Sequence, residues 1–153
     1  MTSVSNDINE HNNSDSNDHN HEESSKHCLF CSITTSRDLT SLLHVDEKVV
    51  AFNDIRPAAT HHILVVPKRH IPSINSLKKD DIETVKKMKE VGLNILSCRL
   101  NKSVDELNEG IKAKLYQIGF VSPPFNSINH IHLHVLSRPI TTCEEFIMVG
   151  NIC

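Results

Sequence analysis

The sequence predicts an α+β domain: a mostly antiparallel sheet with one long and one short helix. Several strand-length runs are rich in β-branched residues, and one long stretch repeats its apolar residues in steps of three and four. After that stretch the chain returns to strand-like runs, an order that suits helices set on one side of a sheet.

Residues 1–27 are Asn, Ser, Asp and His with almost nothing apolar, and they cannot bury enough surface to offset chain entropy. They are expected to form a disordered acidic tail, with the ordered domain spanning residues 28–153. Cys28 to Ile33 is compact and apolar, and Lys48 to Phe52 reads as a strand closed by Asn53, Asp54 and Pro57. His61 to Val66 is a second strand, stopped by Pro67. From Lys78 to Leu100, residues Ile82, Val85, Met88, Val91, Ile95 and Leu96 share one helical face, and Asp80 and Asp81 suit the start of that helix. Val104 to Ile111 is the short helix. Lys114 to Phe120 and Asn129 to Leu136 are further strands, separated by the turn-rich Ser122 to Ser127.

Six acids and one base give the tail a charge of −5; taken from the whole-chain −3, this leaves +2 for the rest. A nearly neutral domain fits a small anionic ligand better than a nucleic-acid groove. No apolar run has the length of a membrane span, and the N-terminal residues resemble neither a signal nor a transit peptide. The expectation is a cytoplasmic or nuclear chain, with its five cysteines as thiols or metal ligands rather than a disulfide framework.

His130-Ile-His-Leu-His-Val-Leu136 carries most of the functional information. Strand alternation sends His130, His132 and His134 to one face, and Ile131, Leu133 and Val135 to the other. A row of three imidazoles needs polar partners. Alternation alone leaves two chemistries open: a metal held by the strand histidines, and an anion site in which ring N–H groups hold phosphate.

Taken with Asp54-Ile-Arg-Pro-Ala-Ala-Thr-His-His-Ile-Leu-Val-Val-Pro-Lys-Arg-His70, this segment resembles the histidine triad family, whose signature alternates three histidines with apolar residues. The similarity runs from about Cys28 to Pro139, and within the family it leans toward the phosphoramidases nearest to aprataxin. The resemblance implies the triad fold and hydrolysis of adenosine 5′-monophosphoramidate and related AMP–amine conjugates through a covalent nucleotidyl-histidine. His132 matches the nucleophile, His134 the donor to a phosphate oxygen, and His130 and His62 the histidines that organise the site. Ser127 matches a serine at the phosphate or the leaving group, and the backbone near Asn126 and Ser127 is placed for oxyanion stabilisation. Asp54 matches the acceptor of the ribose hydroxyls, with Asn53 beside it; Leu29, Phe30, Ile33, Phe52 and Ile55 match the purine surroundings. Gly119 and Val121 depart from residues common in relatives, where an asparagine and a histidine stand.

The resemblance also implies that Cys28, Cys31, His70 and His130 could form a structural Cys₂His₂ zinc site, the alternative being packed free thiols. No cofactor is expected to be required for catalysis. Family members are generally homodimers, so a homodimer is implied as well. The competing functions are release of AMP from adenylated DNA, a nucleotide-binding regulatory or scaffold role, and a hydrolase with zinc on the strand histidines.

Overall fold

The computed structural model describes residues 28–36 and 40–140, together with the backbone of residues 148–149. The tail of residues 1–27 lies outside the described residues.

Helix α1 (Leu29–Thr35) comes first, followed by strands β1 (Leu42–Val45), β2 (Val49–Asn53) and β3 (His62–Pro67). Two 3-10 turns, Ile74–Ser76 and Lys79–Asp81, lead into α2 (Ile82–Leu100), then α3 (Val104–Lys112), β4 (Tyr116–Val121), β5 (Leu133–Ser137) and the two-residue β6 (Met148–Val149). The strands form one antiparallel sheet in the order β1-β2-β3-β5-β4-β6. Among the described residues, no helix is long and apolar enough to cross a membrane.

The predicted α+β class and both predicted helices are present. Helix α1 and strands β1 and β6 go beyond the prediction. Helix α1 is only seven residues long, too short for its apolar residues to show a period, and β1 is a four-residue edge strand. The predicted start of the triad strand is corrected too: ladder pairing begins at Leu133, not Asn129. The Ile131 N–H leaves the ladder for the carbonyl of Ile71 at 2.7 Å, tying the triad segment to the loop after His70.

The two faces of the sheet have different jobs. Val49, Ala51, Ile63, Val65, Ile118, Phe120, Leu133 and Val135 meet Met88, Val91 and Leu96 of α2 and Leu107 of α3, forming the main core. Burying Ile131, Leu133 and Val135 there contributes about 1.5–3 kcal/mol each. The triad segment is thus held by its apolar face, while its imidazoles lie on the opposite one. The second face carries a smaller cluster of Phe30, Val50, Phe52, Leu64 and Val66, with Ile33 packed against it.

The entry to α2 is fixed at Asp81, which is buried. Its carboxylate accepts the Lys78 N–H at 2.8 Å and pairs with Arg69. Arg69 immediately precedes His70, so this pair anchors the loop that carries a predicted metal ligand.

Candidate active site

Four histidines converge on the face opposite α2 and α3: His62 from the start of β3, His134 from β5, and His130 and His132 from the extended segment leading into β5. All four are buried, and His132 keeps 8% of its surface exposed. The ring centroids of His132 and His134 lie 4.8 Å apart, and those of His62 and His134 lie 5.1 Å apart.

Hydrogen bonds fix the tautomer of each ring, Nδ1–H on His132 and Nε2–H on His62, His130 and His134. The Ala58 N–H donates to His62 Nδ1 at 3.1 Å, so His62 carries its proton on Nε2. That N–H faces His134 Nδ1 at 2.8 Å, which leaves the proton of a neutral His134 on Nε2. His132 donates from Nδ1 to the carbonyl of His130 at 2.7 Å, so its Nε2 keeps the lone pair. His130 donates from Nε2 to the carbonyl of Pro67 at 2.9 Å, and its Nδ1 lone pair faces the two cysteines. His132 is thereby left with a free Nε2 lone pair, His134 with an Nε2–H, and His130 with an Nδ1 lone pair toward the sulfurs.

Burial keeps these rings neutral. It lowers His132 despite the opposing hydrogen bond to His130, lowers His134 well below the ordinary value, and lowers His62 against the pull of the Asp54 charge. The unfolded chain therefore binds more protons than the folded one below the ordinary pKa of 6.5. The resulting stability is complete above that value and is lost as pH falls through the depressed folded values. The melting temperature should drop between about pH 7 and about pH 5, each ring adding up to ~1.4 kcal/mol per pH unit. Scanning calorimetry across that window checks this; a flat melting temperature would count against buried neutral rings.

Asp54 lies at the mouth of the face, its Oδ2 3.5 Å from His62 Nε2 and its Oδ1 accepting the Arg56 N–H at 2.8 Å. Phe30 packs edge-on against His132 at 5.0 Å and against Phe52 at 5.7 Å. Leu29 and Ile55 are 54% and 88% exposed, so they contribute apolar surface without being core residues. Asn126 lines a small cavity with His132, Val121, Ile128 and Ser73, and its side chain donates to the Ile128 carbonyl and to Asn129 Oδ1. Ser127 is exposed in the same turn. Gly119 pairs in register with His134, so the two sites of departure, Gly119 and Val121, both border the histidines.

Asn53 does not join the site. Strand alternation turns its side chain to the helix face, where Oδ1 accepts from Arg99 Nη2 of α2 at 2.7 Å. Its proximity to Asp54 in sequence does not survive the period of two.

Cys28, Cys31, His70 and His130 gather at the other end of the triad segment, their donor atoms within 4.8 Å of one another. Cys31 Sγ lies 3.2 Å from His70 Nδ1 and 3.5 Å from His130 Nδ1, and Cys28 Sγ lies 3.4 Å from the same His130 nitrogen. Ligands at the usual Zn–S and Zn–N lengths around a tetrahedral ion are separated by about 3.5 Å, so the donor set fits such a metal. Burial and the neighbouring Cys28 push the Cys31 thiol up to about 11, as expected of a thiol pair with no cation beside it. His62, His134 and Asp54 also lie close together, but the imidazoles spend their facing nitrogens on each other. His132 belongs to neither group of potential ligands.

Sequence reasoning missed two contributors: the Pro67 carbonyl and the Ala58 N–H. Both are backbone groups, which no pattern of side chains marks.

A buried row of hydrogen-bonded imidazoles is thus bordered by the Asp54 carboxylate and the Phe30 ring. The family described as scavenger mRNA decapping enzyme C-term binding matches residues 27–146. The chain is 42% identical over 114 residues to an Arabidopsis thaliana bifunctional adenosine 5′-phosphosulfate phosphorylase/adenylylsulfatase HINT4, covering 73% of this chain and 70% of that protein. It is 43% identical over 111 residues to adenosine 5′-monophosphoramidase HINT3 of Xenopus tropicalis, covering 72% and 67%. Its fold matches a HIT family hydrolase from Legionella pneumophila with a TM-score of 0.59 and 30% identity, over 76% of this chain and 96% of that one. A Zn-bound histidine triad family protein from Mycobacterium smegmatis matches with a TM-score of 0.58 and 27% identity, covering 83% and 85%. The chain belongs to the histidine triad family of hydrolases.

Proposed function

We propose that this protein hydrolyses adenosine 5′-monophosphoramidate and related AMP–amine conjugates through a covalent nucleotidyl-histidine on His132. The observation that carries this reading is the His132 hydrogen bond to the His130 carbonyl, which leaves Nε2 with its lone pair while burial keeps the ring neutral. The activities in the names of the two relatives share an adenosine 5′-phosphoryl group and differ in what is attached to it, which supports the nucleotidyl half of the substrate first.

In this reading His132 Nε2 attacks the α-phosphorus, a P–N bond to the ring forms, and the bond to the leaving amine breaks. The amine departs with the bonding electron pair and takes up a proton, for which the Ser127 hydroxyl is the nearest candidate relay in sequence. His134 Nε2–H donates to a nonbridging oxygen, its tautomer held by the Ala58–His62–His134 chain. Water then attacks the phosphorus, the P–N bond to His132 breaks, and AMP is released. Asp54 binds the ribose hydroxyls, and Phe30, Phe52, Ile33, Leu29 and Ile55 surround the base.

Rapid quenching during turnover followed by intact-mass measurement tests this. A mass increase of one adenylyl group mapped to His132 is expected; a turning-over enzyme that never carries it overturns the nucleophile. Asp54→Ala should lower kcat/KM by roughly 10- to 150-fold, the equivalent of ~1.5–3 kcal/mol of hydrogen bonding to a charged acceptor. Asn53→Ala, turned to the other face, should change it little. Equal losses in the two variants would remove Asp54 from the nucleotide site.

The same reading includes a structural metal, zinc by its donor set, held by Cys28, Cys31, His70 and His130. Its role would be to fix the position of His130, with no part in the bond-making steps.

A further inference from the structure

The cysteine pair and the nucleophile are coupled through two short paths. His130 is the first. Its Nδ1 lies 3.4 and 3.5 Å from the two sulfurs, and its backbone carbonyl accepts the Nδ1 proton of His132. Phe30 is the second. It sits between Cys28 and Cys31 in the first turn of α1 and packs edge-on against His132 at 5.0 Å. Any change in the distance between the two sulfurs therefore acts on both the ring that positions His132 and the ring that walls it.

The pair has the reach for such a change. Both sulfurs belong to the same cluster of atoms within 4.8 Å of one another. Cys28 caps α1 in an extended conformation, outside the helical constraint, and Cys31 is three residues further on. Neighbours at that spacing have Cβ atoms about 5–6 Å apart, and a disulfide asks for about 3.5–4.5 Å. Closure needs a small backbone adjustment, and that adjustment falls on the turn that carries Phe30. Cys31 is partly exposed, which lets a small oxidant reach the pair, and Cys28 lies buried behind it as the resolving sulfur. Because the free Cys31 thiol is held protonated, the reactive form is the thiolate pair that a bound metal would hold.

We infer that Cys28 and Cys31 form an oxidation-sensitive modification site that hydrogen peroxide closes to a disulfide, and that closure disables His132 through His130 and Phe30. The regulatory consequence rests on the nucleophile assigned above. Cys31 sulfur attacks one peroxide oxygen, the O–O bond breaks, and water leaves, giving a sulfenic acid. Cys28 sulfur then attacks Cys31 sulfur, the S–S bond forms, and a second water leaves. Two thiols are oxidised by two electrons in all, the peroxide is reduced by two, and both thiol protons end in water. From a metal-bound thiolate pair those protons come from solvent, and the metal departs as a divalent cation. His130 is a positioning residue here, acting only through His132.

The test uses the full chain with Cys98→Ser, Cys143→Ser and Cys153→Ser, so that only this pair can react, treated with hydrogen peroxide. Intact mass should fall by two hydrogens, and turnover of adenosine 5′-monophosphoramidate should fall by about 10- to 100-fold. The imidazole N–H resonance of His132 in ¹⁵N-labelled protein should shift, and dithiothreitol should restore all three readings. Cys28→Ser in the same background should neither form the disulfide nor show the dithiothreitol-reversible shift. A disulfide that forms while turnover and the His132 resonance stay unchanged overturns the coupling, and failure of any disulfide to form overturns the site. If the reduced protein has no turnover on this substrate, the functional reading fails separately, and mass and resonance still decide whether the pair and His132 are linked.

Discussion

His132→Asn should lower phosphoramidase turnover by about four orders of magnitude or more, the scale seen when a covalent nucleophile is removed from an otherwise intact site. Asparagine can keep a donor toward the His130 carbonyl, which in the native chain receives the Nδ1 proton at 2.7 Å. What it lacks is a basic nitrogen in the place of Nε2. The surrounding frame does not depend on that nitrogen: His62 and His134 bond to each other and to Ala58, and His130 is fixed by Pro67. The variant should therefore fold, bind nucleotide with nearly native affinity, and accumulate no adduct. Isothermal titration with AMP, together with single-turnover kinetics, separates the two effects. Retained turnover would remove His132 from the chemistry. Lost binding would show that its role is to shape the pocket.

Period-two alternation put three histidines on one face, and that placement holds even though only His134 lies within the paired ladder. The same rule would have excluded Asn53, because Asp54 leaves the end of β2 while Asn53 still obeys its alternation toward Arg99. Residues that bring only an apolar side chain were legible as a group and not individually. Phe30 and Phe52 pack inside the second cluster, whereas Leu29 and Ile55 stand exposed at its margin. That a nucleophilic ring holds one N–H on a carbonyl follows from its chemistry, but the tautomers of the individual rings were not legible. They are set by the carbonyls of His130 and Pro67 and the N–H of Ala58, groups that every residue possesses and that only the fold can aim. The helix that carries Phe30 escaped notice for a related reason: seven residues give barely two turns, and its identity comes from packing on the sheet rather than from periodicity.

Removing the proposed metal should have the second large effect, and on stability more than on chemistry. Its four ligands come from α1, from the loop after β3 and from the triad segment, so one ion would join three stretches of chain distant in sequence. A ligand that binds only the folded state stabilises it by about 4 kcal/mol when present at a thousand times its dissociation constant, or roughly 10–20 °C in Tm for a domain of this size. Strong chelation should lower Tm by that amount. Cys31→Ser should melt near the chelated protein and no longer respond to chelator. The domain has a separate core between the sheet and α2, so metal-free protein should still fold at low temperature. There it should keep measurable turnover, because His132 is not among the ligands. A metal acting on the substrate predicts the opposite pattern, with turnover abolished on chelation while Tm barely moves. A protein that contains no metal, and whose melting ignores chelator, would leave Cys28 and Cys31 as packed thiols and return the whole task of holding His130 to Pro67.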